Sequence, residues 1–136
     1  MDNITLNQFE GQITPLKMAV SDKDGTLELA IDAKNKGASG KSADQVGTEQ
    51  VPMRPLLDVL QEHKWPRIDA LKIDIEGAED LDLAPFFETA PDELLPRYII
   101  MEWAPERWDR DLGGLMDKAG YKVKIDTRMN KIYERA

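Results

Sequence analysis

Along the chain, apolar positions fall into short blocks with two different spacings. Residues 13–22, ITPLKMAVSD, read as a strand, followed by a turn over Asp22-Lys23-Asp24-Gly25. In TLELAID the apolar residues Leu27, Leu29 and Ile31 alternate with outward-facing ones, so 13–32 has the pattern of two strands joined at Asp-Gly. Residues 34–49, KNKGASGKSADQVGTE, carry almost no large apolar side chain and predict a flexible loop. QVPMR follows as a short edge strand, because Pro52 lacks the N–H that a central strand needs. PLLDVLQEHKW then changes to helical spacing, with Pro55 suited to a first turn and Leu56, Leu57, Val59 and Leu60 forming one face.

The second half repeats this alternation of helix and strand. IDALKIDI and RYIIMEW are nearly continuous apolar runs, as expected of strands covered on both faces. Between them, GAEDLDLAPFFETA predicts a helix interrupted or restarted at Pro85. RWDRDLGGLMDKAG predicts a helix weakened by Gly113-Gly114 and ended by Gly120. YKVKIDTRM and NKIYERA close the chain as an antiparallel pair. Helices alternating with strands imply a layered α/β domain, with parallel strand-helix-strand units and right-handed crossovers.

Composition narrows the chemistry. The 136 residues fit a single domain, and the net charge of −8 disfavours nucleic acid or an anionic membrane as partner. There is no cysteine and only one histidine, His63, which excludes disulfides and thiolate chemistry and disfavours zinc or Ser-His-Asp arrangements. His63 falls late on a helix, where a surface role is expected. No apolar run has the length of a membrane span, and the first residues lack the features of a signal peptide. A cytoplasmic protein is therefore expected. GASGKS at 37–42 lacks the spacing of a phosphate-binding loop.

Candidate sites come from acids at strand ends. In open α/β sheets ligands bind beyond the carboxyl ends of strands, and two strands here end in acids, LKID at Asp74 and YIIMEW at Glu102. Together with Glu76 they could receive an ammonium group, coordinate Mg²⁺, or act as a base. Glu76, Glu79 and Asp80 also suit a helix start, where acids face the positive end of the dipole, with Gly77 making the turn. Trp103 and Trp108, on either side of Pro105, either wall a pocket or pack between strand and helix.

Four blocks, MAVSDKDGTLELAI, VPMRPLLDVL, IDALKIDIEGAED and YIIMEW, resemble in order and spacing the FkbM family of S-adenosylmethionine-dependent methyltransferases. KIDIEGAE is the most specific of them. The resemblance, from Ile13 to about Trp108, implies a class I methyltransferase fold with strand order 3-2-1-4-5-7-6 and helices on both faces. It implies methyl transfer from S-adenosylmethionine to a hydroxyl of a small molecule or sugar. Ala19, Val20 and Ser21 fall where the adenine is lined, Asp74 near the methionine end of the cofactor and the substrate, and Glu102 at the end of the fifth strand. The family's glycine-rich loop should precede Ile13, where only twelve residues stand without G-x-G. The expectation is thus a truncated, mostly parallel sheet with an antiparallel C-terminal pair, weak or absent cofactor binding, and self-association through an exposed sheet edge. A non-catalytic α/β binding or assembly module and a metal-dependent enzyme are the competing readings.

Overall fold

A computed structural model describes residues 2–31, 47–75 and 77–136, which form two compact units. The first comprises Met1–Ala19 and Gly25–Met53, and the second Val20–Asp24 and Arg54–Ala136.

The first unit opens with a short helix, α1 (Asp2–Leu6), which the apolar pattern does not announce. Its framework is an antiparallel pair, β2 (Gly25–Ile31) and β3 (Gly47–Arg54), with Leu27 opposite Val51 and Leu29 opposite Glu49. Val51 is buried and Leu27 and Leu29 are half-buried, as their alternation requires. Lys17 pairs with Glu49 at 2.5 Å. Of the strand expected over 13–22, only β1 (Ala19–Val20) is paired. The preceding residues are solvent-exposed and include Pro15, so neither burial nor a full set of N–H groups favours a ladder there. The sheet order is β1-β3-β2, so β3 is central rather than an edge. Pro52 is tolerated because β1 offers only two residues against the eight of β3, and most of that flank remains an edge. The loop expected over 34–49 lies largely outside the described residues, and its last three positions already belong to β3.

The second unit contains α2 (Leu56–Glu62), β4 (Ala70–Ile73), α3 (Glu79–Thr89), β5 (Tyr98–Glu102), α4 (Leu112–Lys118), β6 (Tyr121–Asp126) and β7 (Asn130–Arg135). Its sheet has the order β4-β5-β7-β6. β4 and β5 are parallel, joined through α3, while β7 runs antiparallel to both β5 and β6. The expected mostly parallel sheet is therefore corrected to two sheets of mixed direction. The physical reason is connection length: α3 supplies the crossover a parallel pair needs, whereas the three residues between β6 and β7 allow only a hairpin. There the Thr127 N–H and hydroxyl both donate to the Asn130 carbonyl.

One face of this sheet carries the core. Ile99 and Met101 of β5, Tyr133 of β7 and Tyr121 of β6 are buried with Leu83 of α3 and with Leu112 and Met116 of α4. Leu71 and Ile73 of β4 and Leu56 of α2 pack against the same cluster. Lys72, Ile100, Glu102 and Ile132 alternate with these residues, and so belong to the opposite face and stay outside the cluster. α3 passes through Pro85 without a break. Pro85 has no N–H to give the Leu81 carbonyl, while its own carbonyl accepts from the Thr89 hydroxyl at 2.7 Å. Gly113 allows a close approach, since a Cβ there would press on the Trp103 ring at 3.3 Å. At the amino ends of β4 and β5, Glu134 accepts from Lys124 and from the Tyr98 hydroxyl, which hold its carboxyl down at about 2. Among the described residues, no helix is long and apolar enough to cross a membrane.

Candidate functional site

Asp74 and Glu102 come together as strand ends. The β4–β5 register pairs Lys72 with Ile100 and Ile73 with Met101, so Asp74 and Glu102 stand one step further along adjacent strands. Period-two alternation places both on the face opposite the core, with Lys72 and Ile100. Asp74 is exposed and pairs with Lys72 Nζ at 3.0 Å. Glu102 is half-buried and opposite Asn130 of β7. Two acceptor-only groups on one strand edge suit a ligand that brings positive charge or hydroxyl donors.

The acids that follow behave differently. Glu79 is fully buried; its Oε1 accepts from the N–H groups of Ile75 and Gly77 at 3.2 and 3.3 Å, and its Oε2 from Trp108 Nε1 at 3.2 Å. Asp80 is equally enclosed, and its Oδ2 accepts from the N–H groups of Asp109 and Arg110 at 2.9 and 3.0 Å. These two neighbours clamp the loop after β4 to the loop after β5. Gly77, at φ +95°, makes the turn, and a Cβ there would lie 2.5 Å from Arg107 Cδ. Asp82 is also buried, and burial together with the charges of Asp22, Glu79 and Asp80 pushes its carboxyl from 3.8 up to about 6.

Trp103 and Trp108 pack edge to face, with centroids 4.8 Å apart. Trp103 also meets Tyr133 at 5.7 Å, and Lys131 Nζ lies 4.7 Å above its ring. The pair thus belongs to the packing between strand and helix, leaving the indole N–H of Trp108 to the Glu79 clamp.

The three adenine-lining candidates fall on β1 and the residue that follows it. Ala19 belongs to the first unit, whereas Val20 and Ser21 belong to the second. The Ser21 N–H donates to the Arg54 carbonyl at 3.0 Å and its hydroxyl to Asp22 at 3.3 Å. Glu76 lies outside the described residues. His63 caps α2, its Nδ1 3.0 Å from the Val59 carbonyl oxygen. Among the described residues, no group of three or more acids or histidines is arranged to hold a metal ion. Open depressions in this unit include one around Arg110 and Lys118 and one around Arg97 and Arg135.

The roles of Glu79 and Asp80 have a signal in the sequence. Leu83 and Ala84 mark the buried stripe of α3, and one turn earlier the same stripe reaches positions 79 and 80. Acids on a core stripe need internal donors, which the loops at 75–77 and 108–110 supply.

The family model described as the methyltransferase FkbM domain matches residues 1–123 of the chain. The chain belongs to the FkbM methyltransferase domain family. The match covers the clamp, both strand-end acids and all four blocks that carry the resemblance, and it begins before Ile13. No curated protein and no solved structure matches the chain significantly.

Proposed function

We propose that this FkbM domain serves methyl transfer from S-adenosylmethionine to a hydroxyl of a small molecule or sugar, at the strand edge formed by Asp74 and Glu102. The observation that carries the reading is the family match, together with two carboxylates at the carboxyl ends of a parallel pair. The order β4-β5-β7-β6, with only β7 reversed, supports it further, since it agrees with the 4-5-7-6 end of a class I methyltransferase sheet.

The cofactor, when bound, supplies an electrophilic methyl group on a sulfonium centre. Asp74 and Glu102 fit such a ligand as acceptors for its amino group or for the acceptor's hydroxyl. Either carboxylate can hold that hydroxyl in line and take up its proton as the C–O bond forms. The buried clamp fixes the loops that flank this edge, so Glu79 and Asp80 position the site without touching the reacting atoms. The net charge of −8 agrees with a small neutral or cationic ligand rather than nucleic acid.

In an NMR titration with S-adenosylhomocysteine at about millimolar concentration, where even weak complexes populate, amide signals of residues 74–75 and 102–103 should shift. Unchanged signals at both strand ends would contradict the assignment.

A further inference from the structure

We propose that Asp82 and Asp22 form a proton-operated latch: while Asp82 is protonated the turn over Val20–Asp24 stays docked beside α3, and ionisation of Asp82 releases it. The latch is a property of the packing within the second unit and goes beyond methyl transfer.

Three acids in the first turn of α3 are buried, and only two of them are supplied with donors. Glu79 accepts from three N–H groups and Asp80 from two. Asp82 is 5% exposed and accepts no hydrogen bond from any described residue. A buried carboxylate with neither donors nor a cation is unfavourable as an anion, and a proton removes that cost.

The turn is tied to the helix that packs against α3. The Ser21 N–H donates to the Arg54 carbonyl at 3.0 Å, and the Arg54 guanidinium lies 3.9 Å from Asp24. Arg54 stands directly before Pro55, the N-cap of α2, and α2 packs on α3. Residues 20–24 belong to the same compact unit as both helices. Burial is the main cause that raises the Asp82 carboxyl to about 6, and the charge of Asp22 comes next, ahead of Glu79 and Asp80 on the same helix.

No cation balances this group. Arg54 is already engaged by Glu62 and Asp24. Among the other elements around α3, α2 also carries Asp58, α4 carries Asp117 and Lys118, and β4 and β5 carry Lys72 and Glu102 on the face away from the core. None of these is among the charges that act on Asp82.

Docking is therefore favoured most at low pH. It weakens as pH rises from 3.8 to about 6, and the loss is complete above that window. The span between the two values allows a change of up to about a hundredfold in the docking equilibrium, enough to turn a mostly docked segment into a mostly released one. Repulsion from Asp22 and the gain of hydration by Asp82 both favour release. Val20 and Ser21 ride on this turn, so release would open the adenine side of the cofactor site; that consequence alone rests on the methyl-transfer reading.

NMR relaxation of the 136-residue chain, without cofactor, tests the latch. The order parameters of the Ser21 and Asp22 N–H groups should be about 0.85 near pH 4.5 and fall below about 0.6 near pH 7.5, while those of β5 stay at about 0.85 at both values. Asp82→Asn cannot ionise and should keep the turn ordered at both. Asp22→Asn, a change at an exposed residue, should reduce the fall by about half. A turn equally ordered at both pH values, a fall that persists in Asp82→Asn, or an undiminished fall in Asp22→Asn would each overturn the proposal. A merely destabilising Asp82 would change unfolding without moving these native-state order parameters. Since no cofactor is present, failure here leaves the methyl-transfer reading standing, and failure of the S-adenosylhomocysteine titration leaves the latch standing.

Discussion

Asp74 and Glu79 are five residues apart, yet they sit in opposite environments. Asp74 directly follows β4 on the face away from the core, exposed and paired with a surface lysine. Glu79 begins α3 on the core face, fully buried, with three N–H donors converging on its two oxygens. A surface ion pair contributes little because water and salt screen it. A buried carboxylate is costly unless it is fully hydrogen-bonded, and here the clamp offsets that cost while tying two loops together. The same residue class thus separates into buried acids that tie two loops together and an exposed acid at a strand end.

The sharpest way to break this contrast is to remove the clamp. Glu79→Ala leaves the Ile75, Gly77 and Trp108 donors without a partner, and should cost about 3 kcal/mol in denaturant unfolding. The next effect has the opposite sign. Asp82 is buried among like charges, and its folded carboxyl titrates at about 6 against 3.8 when free. The folded state then holds a proton that the unfolded state has lost, so this residue lowers stability as pH rises from 3.8 to about 6, and the cost is complete above that window. Asp82→Asn should therefore stabilise the chain by about 1–2 kcal/mol at pH 7.5, shrinking to a few tenths near pH 4, as read by thermal unfolding at both values. The smallest effect should come from Trp108→Phe. It keeps an aromatic ring against Trp103 but removes one donor from Glu79, costing about 1 kcal/mol.

Much of the second unit was legible in the sequence. The apolar runs around Leu71 and Ile99 are strands, Leu56 to Leu60 form a helix, and the last two blocks pair antiparallel, because each segment's spacing matches the element it forms. The first unit was less legible. Residues 13–18 look like the start of a strand by pattern, but a strand needs a neighbour, and only Ala19–Val20 finds one. Pro52 suggests an edge, yet the two-residue β1 makes β3 nominally central. Pro85 suggests a break, but the packing of Leu83, Ala84 and Phe86 carries α3 through it.

At the site, Asp74 and Glu102 are visible from strand ends alone, and the ladder brings them side by side. The link to the loop after β5 was hidden because the Trp108 indole and the Asp109 and Arg110 N–H groups lie 29 or 30 residues from the acids they serve, which no local pattern displays. What the sequence did hold was the phase of α3, which carries its core stripe back onto Glu79 and Asp80. A dipole argument at the helix start accounts for acids there, but not for their burial.

The division between scaffold acids and edge acids is tested most directly by urea unfolding of Asp80→Ala beside Asp74→Ala. Asp80→Ala strands the Asp109 and Arg110 N–H groups and should lose about 2–3 kcal/mol, whereas Asp74→Ala should stay within about 0.5 kcal/mol of the parent chain. Equal losses, or a larger loss at Asp74, would contradict the account.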